Sequence, residues 1–321
     1  MPLRVCDAGY LGERIHDDEP DTSEPVVRAL LEAECPQWAQ LPIQYLKTSG
    51  TDNAMWRVRI GQEPDVVIRL PRRPGAAAGV LNEAAVLRHL EQAFRGTKMR
   101  TPRLRHLGQP HDVFAHDWMV LEWIDGSDAW TSRRDLKGQE LDALALDLAE
   151  AVNTIATVDF DNAPLRSPGS RGGPLLPLLE QLEHWLDSPE WNAAELVDVK
   201  AIHRLADEAR EVVAEPVEQG FVHGDLIPGN LLVDQGRLSA VIDWGGAGRG
   251  DLSQDFAPAW AVLTPAERSV FKEAVDATET AWIRGRTFEL EHAVGGVLYY
   301  VPKQHPLGDV MARTLDSILA S

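Results

Sequence analysis

FVHGDLIPGNLLVDQGRLSAVIDWGGAGRGDLSQDFA, residues 221–257, is the stretch around which the rest of the chain is organised. The apolar pair Phe221-Val222 leads into His223-Gly224-Asp225, and Asn230 follows Asp225 at i+5. Leu231-Leu232-Val233 reads as a short strand, Asp234-Gln235-Gly236 as a hairpin turn, and Leu238 to Ile242 as a second strand that delivers Asp243. The hairpin therefore carries a metal-capable side chain at each end, Asn230 and Asp243. A third polar group, Asp225, stands on the loop before it.

That spacing has a chemical meaning. Phosphoryl transfer requires a protein to position the donor, to hold Mg²⁺ on the donor phosphates and to orient an attacking hydroxyl. Mg²⁺ takes hard oxygen ligands, commonly one or two side chains with phosphates and water completing the shell. Asn230 and Asp243 suit that role, and Asp225 suits the acceptance of a hydrogen bond from the hydroxyl. The D-x-x-x-x-N spacing, with an aspartate after the next strand, is also that of a kinase catalytic loop and metal site. Ordinary polar turns, with Asp225 and Asn230 capping loops, are the alternative, but they do not account for both spacings occurring together.

On these residues the chain resembles the aminoglycoside phosphotransferase family of small-molecule kinases. The resemblance rests on His223-Gly224-Asp225 to Asn230, Ile242-Asp243-Trp244, and Gly250-Asp251 to Asp255. Protein kinases carry H-R-D and D-F-G, where this chain has HGD and Asp243-Trp244-Gly245. The resemblance implies an α+β, protein-kinase-like fold of two lobes with nucleotide in the cleft. The small lobe, residues 1–124, would hold about five antiparallel strands and one long helix; the large lobe, 125–321, would be mainly helical. It further implies ATP or GTP as donor, Mg²⁺ as cofactor, Asp225 as the catalytic residue, and His223 and Asp255 as supports of the site.

Outward from that stretch the strands come first. Leu41 to Lys47, Met55 to Ile60, Asp65 to Pro71, Arg103 to Leu107 and Asp117 to Trp123 read as strands, and Ala76 to Phe94 as a helix. By resemblance, the turn containing Ser49, Gly50, Thr51 and Asn53 covers the nucleotide phosphates with backbone N–H groups. With one glycine it reads equally well as a plain β-turn. Arg69 stands on the third strand where protein kinases carry lysine; an arginine fork can still grip phosphate. Glu83, on the following helix, is placed to pair with it. Arg72 and Arg73 read as flexible, solvated charges. By resemblance, the backbone of Glu122, Trp123 and Ile124, just before the turn at Asp125-Gly126, would meet the adenine edge.

Ahead of the strands, Thr22 or Ser23 can cap a helix bearing Val26, Val27, Leu30 and Leu31, closed by Pro36. After Gly126 the periodicity becomes helical. Leu141, Leu144, Leu148, Val152 and Ile155 form one stripe; 175–186, 195–213, 265–285, 287–300 and 306–320 read as helices, and 162–174 as a loop. Trp185 and Trp191 read as packing residues, and Asp251 as the cap of a helix starting near Leu252.

Composition narrows the function. Of 321 residues, 44% are hydrophobic and 25% charged, as in globular proteins. No apolar run is long enough to span a bilayer, and no signal pattern opens the chain, so a cytoplasmic protein with no membrane partner is expected. Cys6 and Cys35 form no framework. The net charge is −19. Residues 126–321, with 16 basic and 32 acidic side chains, carry most of it. That argues against nucleic acid as a partner. It suits a cationic small-molecule substrate, or simply a soluble surface.

By resemblance the acceptor is an antibiotic hydroxyl, first an aminoglycoside, with antibiotic resistance as the associated role. A macrolide, or a metabolite such as choline, homoserine or a sugar, is the alternative, and a catalytically inactive nucleotide-binding regulator is the non-enzymatic one. A monomer or homodimer is expected.

Overall fold

The computed structural model describes residues 19–46, 52–61, 63–97, 99–160 and 163–321. The chain divides into two compact units: Met1–Gly126 with Ala240–Gly245, and Ser127–Ser239 with Gly246–Ser321. The boundary read from sequence at 124/125 thus omits one return. The segment that carries Asp243 belongs to the first unit.

The first unit contains α1 (Glu24–Glu34), β1 (Ile43–Leu46), β2 (Asn53–Val58), β3 (Val66–Pro71), α2 (Pro74–Ala93), β4 (Leu104–Gly108) and β5 (Trp118–Glu122). Its five strands form one sheet in the order β1-β2-β3-β5-β4, with antiparallel neighbours. The expected small antiparallel-sheet unit with one long helix is therefore present. β3 and β5 are buried along their whole length because both faces of the sheet are covered. Against one face lie Val27, Leu30 and Leu31 of α1, packed with Trp56, Ile68, Leu70 and Trp118. Ser23 occupies the cap position of α1, but its side chain makes no capping bond.

Arg72 corrects the sequence reading. It is buried, not solvated: its guanidinium donates to Glu19 at 2.7 Å and to the Tyr45 hydroxyl at 2.5 Å. Burial is tolerable because the charge is paired and hydrogen-bonded. Arg73 is half-exposed and pairs with Asp52.

The second unit runs through β6 (Ser127–Asp128), α3 (Ala129–Arg133), α4 (Gln139–Ala156), α5 (Leu175–Asp187), α6 (Ala193–Leu196), α7 (Val199–Glu211), β7 (Gln219–Val222) and β8 (Leu231–Asp234). β9 (Arg237–Val241) carries the chain into the first unit. The second resumes with β10 (Gly248–Asp251), α8 (Pro258–Ala261), α9 (Pro265–Ala274), α10 (Glu279–Tyr300) and α11 (Pro306–Leu319). The β8–β9 turn has positive φ at Gln235 (49°) and Gly236 (77°), the tight two-residue geometry that glycine favours. β7 pairs antiparallel with β10.

Three helix boundaries differ from those read in sequence. The 195–213 helix begins only at Val199, because Asp198 caps it by accepting from Ala201 N–H. The helix expected over 265–285 ends at Ala274. Asp276 turns the chain at φ 49°, and Thr278 caps a new helix by accepting from Ala281 N–H. α10 then runs unbroken through 286. Gly285 is accommodated there by close packing, since a Cβ on it would lie 2.7 Å from Ser253 O. Asp251 caps a 3₁₀ turn, Leu252–Phe256, in place of an α-helix.

Candidate active site

Within the first unit, β3 presents Arg69 beside α2 and the Ala240–Gly245 segment. Arg69 Nη1 donates to Glu83 Oε1 at 2.6 Å, and Nη2 donates to Asp243 Oδ1 at 2.9 Å. Burial works against the Arg69 charge, but Glu83 and Asp243 hold its pKa above the ordinary arginine value. Glu83 Oε1 also accepts the Trp244 N–H at 3.1 Å. The Trp244 ring is fully buried; its Nε1–H donates to Val241 O, and it lies 6.0 Å from the Phe94 ring. Asp243 itself has φ 66°. Its side chain is 46% exposed, and among the described residues Oδ1 alone is engaged, which leaves Oδ2 available as a hard ligand.

Of the phosphate-turn residues, Ser49, Gly50 and Thr51 lie outside the described residues, and Asn53 opens β2 opposite Pro71. At the end of β5, Glu122 N–H is committed to Arg103 O at 2.9 Å and Trp123 N–H to Asp65 O at 2.8 Å. Among the described residues, Ile124 N–H has no such acceptor. The Glu122 carboxylate receives Arg100 at 3.0 Å, and Arg57 stacks 4.2 Å from the centroid of the Trp123 ring.

The second unit holds Asp225, Asn230, His223 and Asp255. Asn230 Nδ2 donates to Asp225 O at 2.8 Å and to Asp225 Oδ2 at 3.0 Å. With the amide nitrogen turned to two acceptors, Oδ1 of Asn230 is the atom left for a cation. Asp225 N–H donates to His223 Nδ1 at 3.2 Å. Asp255 accepts from His223 N–H at 2.7 Å and Gly224 N–H at 2.8 Å, one on each oxygen. Burial raises its pKa. Gly224 has φ 80°, and a Cβ there would fall 1.5 Å from Arg166 Nη2. No other residue fits this turn.

Two residues that sequence reasoning missed come from the 163–174 loop. Its backbone lies along β10, through Arg166 N–H to Arg249 O, Arg249 N–H to Pro164 O and Asp251 N–H to Gly172 O, each 2.8 Å. Arg166 reaches the Gly246 and His223 carbonyls. Arg171 Nη1 reaches Asp225 Oδ1 at 3.4 Å. Burial works against the Asp225 charge, yet Arg171, with His292 and His223, holds its pKa below the usual carboxylate value. Glu289 and Glu291 on α10 join Asp225 in stabilising the charge of Arg171. Burial pushes the Glu291 pKa up. The only sequence signal was the pair of arginines in an otherwise small-residue loop.

A phosphotransferase enzyme family model (APH) matches residues 47–288, well over half of the chain.

The chain belongs to this phosphotransferase family.

Its fold is shared by solved structures of low identity. The GDP complex of wild-type aminoglycoside 2'-phosphotransferase-IIIa is 16% identical, with TM-score 0.70, covering 92% of this chain and 97% of that one. The GDP and kanamycin complex of APH(2")-IIia is 17% identical, with TM-score 0.67, covering 91% and 96%. The macrolide 2'-phosphotransferase MphH from Brachybacterium faecium is 19% identical, with TM-score 0.60, covering 92% and 98%. No curated protein matches the chain by sequence. Among the described residues of this phosphotransferase family member, no helix is long and apolar enough to cross a membrane.

Proposed function

We propose that the protein is a small-molecule kinase that transfers the γ-phosphoryl group of ATP or GTP to an alcohol. The observation that carries this reading is the bonding of Asp225. Its carboxylate is held by Asn230 at 3.0 Å on Oδ2 and met by Arg171 at 3.4 Å on Oδ1, its backbone N–H is tied to His223, and Oδ1 keeps a lone pair able to accept from a hydroxyl. In the first unit, the Arg69 fork tied to Glu83 and Asp243 supplies the cation and the carboxylate that a nucleotide phosphate and its counter-ion require.

In this reading Asp225 orients the acceptor hydroxyl and receives its proton. His223 and Asp255 keep the loop in register, and Arg69 binds phosphate. The N–H groups of the Ser49–Asn53 stretch are assigned to phosphate by the resemblance alone, and the backbone at Glu122–Ile124 meets the base, through Ile124 N–H and the neighbouring carbonyls. Asn230 Oδ1 and Asp243 Oδ2 are the hard oxygens that would hold Mg²⁺, which bound there would neutralise charge on the donor phosphates. Two side-chain ligands suffice for Mg²⁺. Among the described residues no larger His, Cys, Asp and Glu cluster forms a metal site.

For the acceptor we propose an aminoglycoside-like polyol amine. Support comes from the acidic excess after residue 125 and from Glu289 and Glu291 near the Arg171–Asp225 pair.

The test is nucleotide turnover by purified protein with Mg²⁺, ATP and GTP in parallel, against aminoglycosides, macrolides and choline-like metabolites. Phosphorylated aminoglycoside in the product mixture supports the full reading. Phosphorylation of another class replaces the acceptor and keeps the kinase. Nucleotide binding without transfer to any alcohol rejects the kinase in favour of a binding module.

A further inference from the structure

Asp225 is approached by two donors of different kinds. Asn230 brings a neutral amide from the same loop, at 3.0 Å from Oδ2. Arg171 brings a full charge from a segment 54 residues earlier, at 3.4 Å from Oδ1. Orienting the carboxylate does not require that charge, because Asn230 already holds Oδ2 and the bond from Asp225 N–H to His223 fixes the backbone that bears it. Anchoring the loop does not require it either, because the backbone bonds to β10 and the contacts of Arg166 do so. Moreover, among the described residues the Arg171 guanidinium makes this one hydrogen bond, so the remaining donors of its fork are uncommitted. The Arg171 side chain as a whole is 27% exposed, and Glu289 and Glu291 balance its charge from α10.

We propose that Arg171 is a second catalytic residue, whose free donors bind the phosphoryl group during its transfer. This rests on the kinase reading above. A hydroxyl donating to Asp225 Oδ1 brings its oxygen to about 3 Å from that atom. The oxygen therefore lies beside the guanidinium that reaches the same Oδ1. As the acceptor oxygen forms its bond to the γ-phosphorus, the bond from that phosphorus to the bridging oxygen breaks. The electron pair leaves with the nucleoside diphosphate, and the hydroxyl proton passes to Asp225. Negative charge is then spread over the three equatorial oxygens. A planar, weakly hydrated fork at that place meets it without reorganising. The assignment also reconciles a cation beside Asp225 with a cationic acceptor, since the Arg171 charge is directed to phosphate and its surplus is screened by Glu289 and Glu291.

The experiment is binding of Mg·ADP and Mg·GDP to the full chain, with and without aluminium tetrafluoride as a planar mimic of the transferring phosphoryl group. Wild type is compared with Arg171→Lys and Arg171→Ala, and thermal melting is followed in parallel. The expected result is tighter binding of the fluoride complex by wild type. Arg171→Ala loses that gain, on the order of 100-fold, with diphosphate affinity and melting temperature unchanged. Arg171→Lys retains part of the gain, and added guanidinium ion restores part of it to Arg171→Ala. An Arg171→Ala variant that keeps the gain overturns the proposal. So does one that loses diphosphate affinity and melting temperature together, which would make Arg171 a loop-holding residue. Wild type that binds neither nucleotide rejects the kinase reading itself, an outcome visible without any variant.

Discussion

Arg69 donates to Glu83 across 2.6 Å, joining β3 to α2 through two side chains that are almost wholly buried. The same Glu83 oxygen holds the Trp244 N–H, so one carboxylate fixes a strand, a helix and the segment bearing Asp243. Glu83→Gln keeps the shape and removes the charge, leaving the buried guanidinium with Asp243 alone. Breaking a buried pair from one side costs about 3–5 kcal/mol. Urea unfolding of the variant should show a loss of that size. A loss under about 1 kcal/mol would mean that the pair is incidental, as exposed pairs usually are.

Asp225→Asn tests the chemistry apart from the fold. Asparagine preserves the volume, and the backbone carbonyl that Asn230 also holds at 2.8 Å is untouched. It cannot take the hydroxyl proton. Turnover should fall on the order of 10²–10⁴-fold, with nucleotide affinity and melting temperature near those of wild type. Retention of most of the turnover would remove Asp225 from the catalytic role.

The readable part of the molecule was the part written in short range. The strands up to β5, α2 and the hairpin between Asn230 and Asp243 follow from local alternation, helical spacing and one turn, and each is found near its expected place. Arg69 and Glu83 were legible because the kinase pattern of a strand cation paired with a glutamate on the next helix could be laid on this strand and helix. Arg171 was not, since its partner lies 54 residues away and its loop has neither period nor caps. Arg72 was misread for the same reason: Glu19 and Tyr45, which make its burial tolerable, are distant in sequence. The break between α9 and α10 depends on a positive φ at Asp276 and a cap at Thr278, whereas Gly285, the more conspicuous breaker, is held in mid-helix by packing.

Asp255 gives a third prediction, on the rigidity of the loop. Its two oxygens accept the adjacent N–H groups of His223 and Gly224, all buried. Asp255→Asn offers one acceptor and turns an NH₂ group towards the other N–H. One buried donor is thereby orphaned, at a cost of about 1–3 kcal/mol. Hydrogen exchange at His223 and Gly224 should accelerate before global unfolding does. Unchanged protection of both amides would show that the turn is held by Gly224 geometry and Arg166 without the carboxylate.

Asp65 sets a pH dependence whose sign follows from its partners. It accepts from Ile60 N–H at 3.0 Å, Arg57 Nε at 2.7 Å and Arg59 Nη1 at 3.2 Å. Burial opposes its charge, but the Ile60 amide and then the two arginines hold its pKa below the ordinary aspartate value. A carboxyl whose pKa is lower folded than unfolded stabilises the fold fully above the unfolded value of about 3.9. That contribution is lost as pH falls through the lower, folded value. Asp65→Asn should therefore be less stable than wild type at neutral pH, with the gap closing below about pH 4. Since Asp65 O also accepts the Trp123 N–H and Arg57 stacks on the Trp123 ring, the variant should loosen the end of β5 as well. A stability gap that does not change with pH would show that Asp65 acts through shape and hydrogen bonding, with its charge irrelevant.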